Sequence, residues 1–294
     1  MQDGILVIDK PEGMSSAAAL NVVKRVLGAP RIGHAGTLDP MATGVLVLMI
    51  GKATRLSNLL MAGPKRYEAR ILLGMETDTL DRTGRLLRTC PVPAVDREEI
   101  TAVLERFIGE IDQVPPAFSA LKQNGKPLYR LARNGTPVQK PARKVRIDSI
   151  RLIRWESPEL DIDIVCSSGT YIRSLAADIG AALGCGGTLS ALRRTRSGEC
   201  RIEQALSLEA IRSAGSNCHE WIRSPLDLLP NVRQIVADNA LTNKLRYGKI
   251  VSVDDVPNTP LDRRLAITDP TGRLMALLER DRHERRYQYL CNWT

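Results

Sequence analysis

Residues 31–55 read RIGHAGTLDPMATGVLVLMIGKATR, and between Ala35 and Gly51 the only charged side chain is Asp39. Ala35, Gly36, Thr37, Ala42, Thr43 and Gly44 surround it. Side chains that small let another molecule approach a carboxylate closely, and an approachable carboxylate can act as a nucleophile or a base. Asp before Pro also starts many helices. Here, however, the run that follows is rich in β-branched residues and contains Gly44, which makes a poor helix. His34 is one of only three histidines; alone, it reads as a structural hydrogen-bonder as readily as a reacting group. No Gly-x-Ser-x-Gly elbow, no phosphate loop ending in Lys-Ser/Thr and no clustered metal-ligand spacing accompanies it. The residue types give a lone reactive carboxylate and leave the reaction open.

A second chemical feature is charge. The net charge is +9. Between Ser119 and Arg154 stand Lys122, Lys126, Arg130, Arg133, Lys140, Arg143, Lys144, Arg146, Arg151 and Arg154, with Asp148 the single acid. Ten bases against one acid is a local excess of +9, equal to that of the whole chain. The stretch also holds Gly125, Pro127, Gly135, Pro137 and Pro141, so it reads as a loop. A loop of one charge sign repels itself unless a polyanion meets it, which points to nucleic acid.

These groups need a scaffold. The chain has 294 residues, 43% of them hydrophobic, enough for one large domain with a small appendage. The opening MQDGILVIDKPEG has an early acid and a short apolar run, unlike a signal peptide, and no window reaches the length of a membrane span. Cys90, Cys166, Cys185, Cys200, Cys218 and Cys291 form no C-x-x-C pair, which points away from zinc and toward the reducing cytoplasm.

Strands are expected at 5–8, 45–50, 66–74, 144–156 and 159–167. In the last, Leu160, Ile162 and Ile164 alternate with Asp161 and Asp163, so one face is buried and one wet. Helices are expected at 15–28, capped by Ser15 or Ser16; at 96–111, with Asp96 and Glu99 in capping-box spacing; at 169–184, with Thr170 as cap; and at 207–214. After residue 228 short strand-like runs follow one another, a separate small all-β unit. Strands mixed with long helices before it indicate an α/β or α+β body.

GHAGTLDPMATGVL closely resembles the signature of the TruB family of tRNA pseudouridine synthases. IDKPEGMSS, KRYEARILLGMETDTLDRTG, PPAFSALKQNGKPLYRLARNG, CSSGTYIRSLAADIG and LGCGGTLSALRRTRSG resemble further motifs of that family, in order, across residues 4–198. One departure is Phe118, where the family more often has Tyr.

The resemblance implies an α+β fold: a mixed, largely antiparallel central sheet flanked by helices, with a small C-terminal all-β PUA-like domain. It implies a catalytic domain over 1–228, with a basic RNA-gripping insertion at about 113–146, and an RNA-binding domain over 229–294. The implied reaction turns uridine 55 in the tRNA T-loop into pseudouridine, without metal or cofactor. Asp39 would be the catalytic carboxylate. Arg173 would pair with it, and a neighbouring guanidinium favours the ionised form of a carboxylate. Asp81 would complete the charge network, and Lys10 would support it. Tyr67 would stack on the flipped uracil, Tyr171 and Leu192 would line the pocket, and His34 would fill the gap that the base leaves. Lys122, Lys126, Arg130, Arg133, Lys140, Arg143 and Lys144 would hold the T-arm phosphates. The implied partner is the tRNA T-arm, with no membrane and no obligatory protein partner, and the protein would be a monomer in the cytoplasm. Two alternatives stay open: a guide-RNA-dependent relative, and a non-catalytic RNA-binding or tRNA-folding protein.

Overall fold

A computed structural model describes residues 3–119, 121–123, 125–256, 263–281 and 283–294. The apolar runs become the middle of a ten-stranded sheet. Its main order is Leu206–Ser207, Gly4–Lys10, Thr43–Ile50, Gly187–Ser197, Lys65–Leu73, Glu159–Cys166, Arg143–Glu156 and Gly109–Gln113. Ile32–His34 and Cys200–Arg201 pair off this path. Two pairings are parallel, Gly4–Lys10 with Leu206–Ser207 and Thr43–Ile50 with Gly187–Ser197; the others are antiparallel. Strands covered on both faces tolerate an unbroken apolar sequence. Thr43–Ile50 is such a strand, buried from Gly44 onward.

The Ser16–Val26, Arg97–Glu105, Ile172–Ala182 and Leu208–Ala214 helices pack against this sheet through one apolar core. Ser15 caps the first by accepting from the Ala18 N–H at 3.1 Å. Asp96 and Glu99 form the expected capping box. That helix ends at Glu105 rather than continuing to 111. Gly109, at φ 107°, turns the chain into a strand that pairs with Arg143–Ile147. The C-terminal pairing wins over helix propensity. Thr170 is not a cap either. Its hydroxyl donates to the Ser167 carbonyl at 3.0 Å, and Tyr171 takes the N-cap position without a side-chain bond.

Thr43–Ile50 and Gly187–Ser197 touch in register only at Thr43–Arg193 and Gly44–Arg194. Arg194 is also registered with Tyr67, and Tyr67 with Ile164. Gly44, Arg194, Tyr67 and Ile164 thus form one row across the middle of the sheet. A second, five-stranded sheet comprises Arg233–Val236, Arg264–Thr268, Leu274–Arg280, Arg286–Asn292 and Val251–Ser252. The Asn239–Arg246 helix, absent from the strand-only expectation, buries Leu241 and Leu245 in that sheet's own core. Ala266, Leu277, Cys291 and Trp293 share a further core with Ile5, Val7, Val47 and Met49, which seats the second sheet on the first.

Candidate active site

Asp39 lies in a turn between Ile32–His34 and Thr43–Ile50, where the Ala42 N–H donates to its carbonyl at 3.1 Å. Neighbours fix the backbone on both sides. The buried Ser16 hydroxyl donates to the Leu38 carbonyl at 3.0 Å and accepts from the Leu38 N–H at 2.8 Å. Lys10 is fully buried, and its ammonium donates to Pro11 O at 2.7 Å, Met14 O at 2.6 Å and Pro40 O at 3.3 Å. Burial pulls the Lys10 pKa down to about 8, against the opposing pull of Asp39.

The carboxylate meets Arg173 from the first turn of the Ile172–Ala182 helix. Arg173 Nη2 donates to Asp39 Oδ1 at 3.2 Å. Nε lies 2.9 Å from Oδ2 but is not aimed at it, so that contact is an ion pair without a second hydrogen bond. The guanidinium also donates to Thr79 O and Phe118 O, each at 2.8 Å, and sits 3.5 Å from Asp81 Oδ2. The Arg173 side chain is 4% exposed and that of Asp81 6%, whereas Asp39 is 34% exposed. Asp81 is also held in place, because Oδ1 accepts from Thr79 Oγ1, Thr83 N and Thr83 Oγ1. A buried carboxylate held in this way is a support, and a partly open one can react.

Asp39 stands between two cavities of about 530 and 460 Å³ that share Thr37, Leu38, Asp39, Ser119 and Arg173. Each lies in the range of about 300–1,000 Å³ usual for small-molecule sites. Tyr67, Tyr171, Leu192, Lys65, Arg143 and Arg194 line the first. His34, Asp81, Phe118 and Tyr129 line the second. Burial pushes the Tyr67 phenol above its usual range, only partly offset by Arg194, so it is protonated at neutral pH. Burial, and then Arg194, push His34 below 6.5, so its imidazole is neutral there. Its Nδ1 is buried without a partner among the described residues.

The structure therefore brings together Asp39, Arg173, Asp81, Lys10, Tyr67, Tyr171, Leu192 and His34. It differs from the expectation in three respects. Tyr67, expected to offer its ring to a flipped base, is itself largely buried in the pocket wall. Phe118 reaches Arg173 through its backbone carbonyl, which any residue type would supply. Arg143 is a wall of the cavity, its guanidinium 4.8 Å from the Tyr171 ring centre and bonded to Gly169 O.

The basic stretch also differs from a loop of one charge sign. Acids on neighbouring strands meet much of it. Arg151 lies 2.8 Å from Asp163, Arg154 2.8 Å from Glu159 and Lys144 3.8 Å from Glu110, while Arg146 pairs with Asp148 at 2.8 Å. Asp163 is buried, so the second strand of that pair has no wet face at this point. Lys126 and Arg130 are exposed and make no ion pair among the described residues. Lys140 bonds the Gln123 side chain. The side chains of Lys122 and Arg133 lie outside the described residues.

Sequence reasoning missed Ser16, Gln113, Lys65 and Arg194. Gln113 holds the Tyr171 backbone from both sides, at 3.0 Å to O and 2.7 Å from N. Lys65 is buried, donates to Met61 O and Gly63 O, and is pulled down to about 8 by burial and then by Arg194. Lys10, Lys65, Arg173 and Arg194 are four buried cations set against Asp39 and the buried Asp81. Such an excess suits an anionic guest.

Residues 24–172 match the TruB family pseudouridylate synthase N-terminal domain, and residues 173–228 match the tRNA pseudouridylate synthase B C-terminal domain. The tRNA pseudouridine synthase B of Aromatoleum aromaticum is 44% identical over 251 residues, 85% of this chain and 81% of that protein. The protein of the same name from Xanthomonas campestris pv. campestris is 41% identical over 284 residues, 92% of each chain. Among solved structures, a chain of a Cbf5–Nop10–Gar1 complex superposes with a TM-score of 0.73 at 23% identity, over 98% of this chain and 85% of that one. A chain of an H/ACA RNP bound to a substrate RNA containing 2'-deoxyuridine gives 0.70 at 24%, over 94% and 77%. Those two show the fold: a mixed sheet flanked by helices, with a PUA-like C-terminal domain.

Proposed function

The chain belongs to the TruB family of pseudouridylate synthases, and from that premise we propose that it acts on uridine 55 in the T-loop of tRNA, with Asp39 as the catalytic carboxylate. It is a tRNA pseudouridine synthase, an isomerase. The reaction breaks the ribose C1′–N1 bond, turns the uracil and joins C1′ to C5. The hydrogen on C5 leaves and a proton ends on N1, so no electrons enter or leave. The observation that carries the proposal is the position of Asp39, held by Arg173 and partly open between two cavities.

A T-loop base must leave its stack to reach this carboxylate, at a cost of roughly a few kcal/mol. Stacking on an aromatic wall returns about 1–3 kcal/mol, and Tyr67 and Tyr171 supply that wall. The neutral His34, facing the second cavity, fills the vacated space. Lys126, Arg130 and Lys140 hold T-arm phosphates, with Lys122, Arg133 and Lys144 beside them in the chain, and Arg143 contributes from inside the pocket.

The catalytic unit spans 1–228 and the RNA-binding unit 229–294. The protein works as a monomer in the cytoplasm, needing neither guide RNA nor protein partner. The bacterial relatives named tRNA pseudouridine synthase B, 40–47% identical, support this over a guide-dependent role. The test is to incubate the purified chain alone with an unmodified T-arm transcript and map pseudouridine by carbodiimide labelling and primer extension. Product at the T-loop uridine is expected. Tight binding without product would contradict the reading and favour a partner-dependent enzyme or an RNA-folding protein.

A further inference from the structure

Arg194 is the largest fully buried side chain among the described residues. No carboxylate lies within 4 Å of it among the described residues, so its charge is met by dipoles. Nε donates to Val45 O at 2.8 Å, Nη2 to Gly36 O at 3.0 Å and Nη1 to Thr37 O at 3.4 Å. Those carbonyls lie on both flanks of Asp39, so one guanidinium closes the 36–45 segment into a loop with the carboxylate at its tip. The backbone beneath is equally close. A Cβ on Gly44, itself at φ 101°, would sit 2.2 Å from the Arg194 carbonyl oxygen.

Tyr67 is the registered neighbour of Arg194 in the sheet row. Tyr67 and Arg194 both line the cavity that holds Asp39.

We propose that Arg194 is a positioning residue for the isomerisation: it sets the Asp39 carboxylate through the carbonyls of the loop that carries it. This rests on the reading of Asp39 as the catalytic carboxylate. A charge buried without an acid is costly, and a fold that needed only packing here could use an apolar residue. The planar fork is what allows one side chain to bridge three carbonyls; a lysine can reach only part of the set.

The test measures the single-turnover rate constant at saturating enzyme, together with transcript affinity, for wild type, Arg194→Lys and Arg194→Met. Misplacement of a reacting group by about 1 Å costs on the order of 100-fold. Arg194→Met is expected to lose that much or more in rate constant with affinity nearly unchanged, and Arg194→Lys to fall between it and wild type. Two results would overturn the proposal: a wild-type rate constant in Arg194→Lys, or a loss confined to affinity. If Arg194→Met does not fold, Arg194→Lys decides by its rate constant alone. A wild type that makes no pseudouridine would instead refute the functional reading beneath it.

Discussion

At the scale of single residues the site is a contrast between two acids on one arginine. Asp81 is buried and accepts three hydrogen bonds on one oxygen, whereas Asp39 keeps an open side. The same contrast separates the lysines from ordinary ones. Lys65 has a folded pKa of about 8 against 10.5 for the free side chain. Between those values the unfolded chain binds more protons at this group, so its contribution to stability rises with pH and is least favourable below about pH 8. Denaturant midpoints of wild type and Lys65→Met should therefore diverge in favour of wild type as the pH climbs through that window, and run parallel below it. A constant difference across the window would show that Lys65 is not desolvated. Asp39, Arg173 and Tyr67 were legible in the sequence because their motifs are distinctive. Arg194 was not. LRRTRS reads as a surface charge run, and only strand alternation decides that Arg193 meets Asp9 at the edge while Arg194 turns inward.

At the scale of elements, function rests on how closely two strands and a turn approach. Gly44 lets Thr43–Ile50 lie against Arg194, and its positive φ disfavours any side chain. Gly44→Ala should destabilise the fold by about 2–4 kcal/mol, since backbone strain and overpacking add. Chemical denaturation checks this; a change under about 0.5 kcal/mol, the range of an ordinary surface substitution, would contradict the close-packed junction. Most strands and the capped helices were legible because apolar runs and capping signals are local. The early end of the Arg97–Glu105 helix was not, because the partner that draws Gly109–Gln113 into the sheet lies some thirty residues later. The Asn239–Arg246 helix was missed because its short apolar stripe stands among strands.

At the scale of the whole molecule, net charge overstated the RNA grip. Arg151 and Arg154 brace strands through Asp161, Asp163 and Glu159, so they are not free for phosphates. Each phosphate contact contributes about 0.9 to the log–log salt slope on duplex nucleic acid. Replacing Lys126, Arg130 and Lys140 together by Gln should therefore lower the slope of T-arm binding by about 2–3. Arg151→Gln should leave it unchanged. Equal effects would place the grip on the sheet instead of the insertion. We propose that the Asp39 carboxylate is the reacting group of the isomerisation, and a single-turnover comparison of wild type and Asp39→Asn on one unmodified T-arm transcript, with affinity measured in parallel, decides it. A rate loss of at least about 10³-fold is expected for the variant, with affinity nearly preserved. Pseudouridine formed at a wild-type rate by Asp39→Asn, or binding lost along with activity, would contradict it.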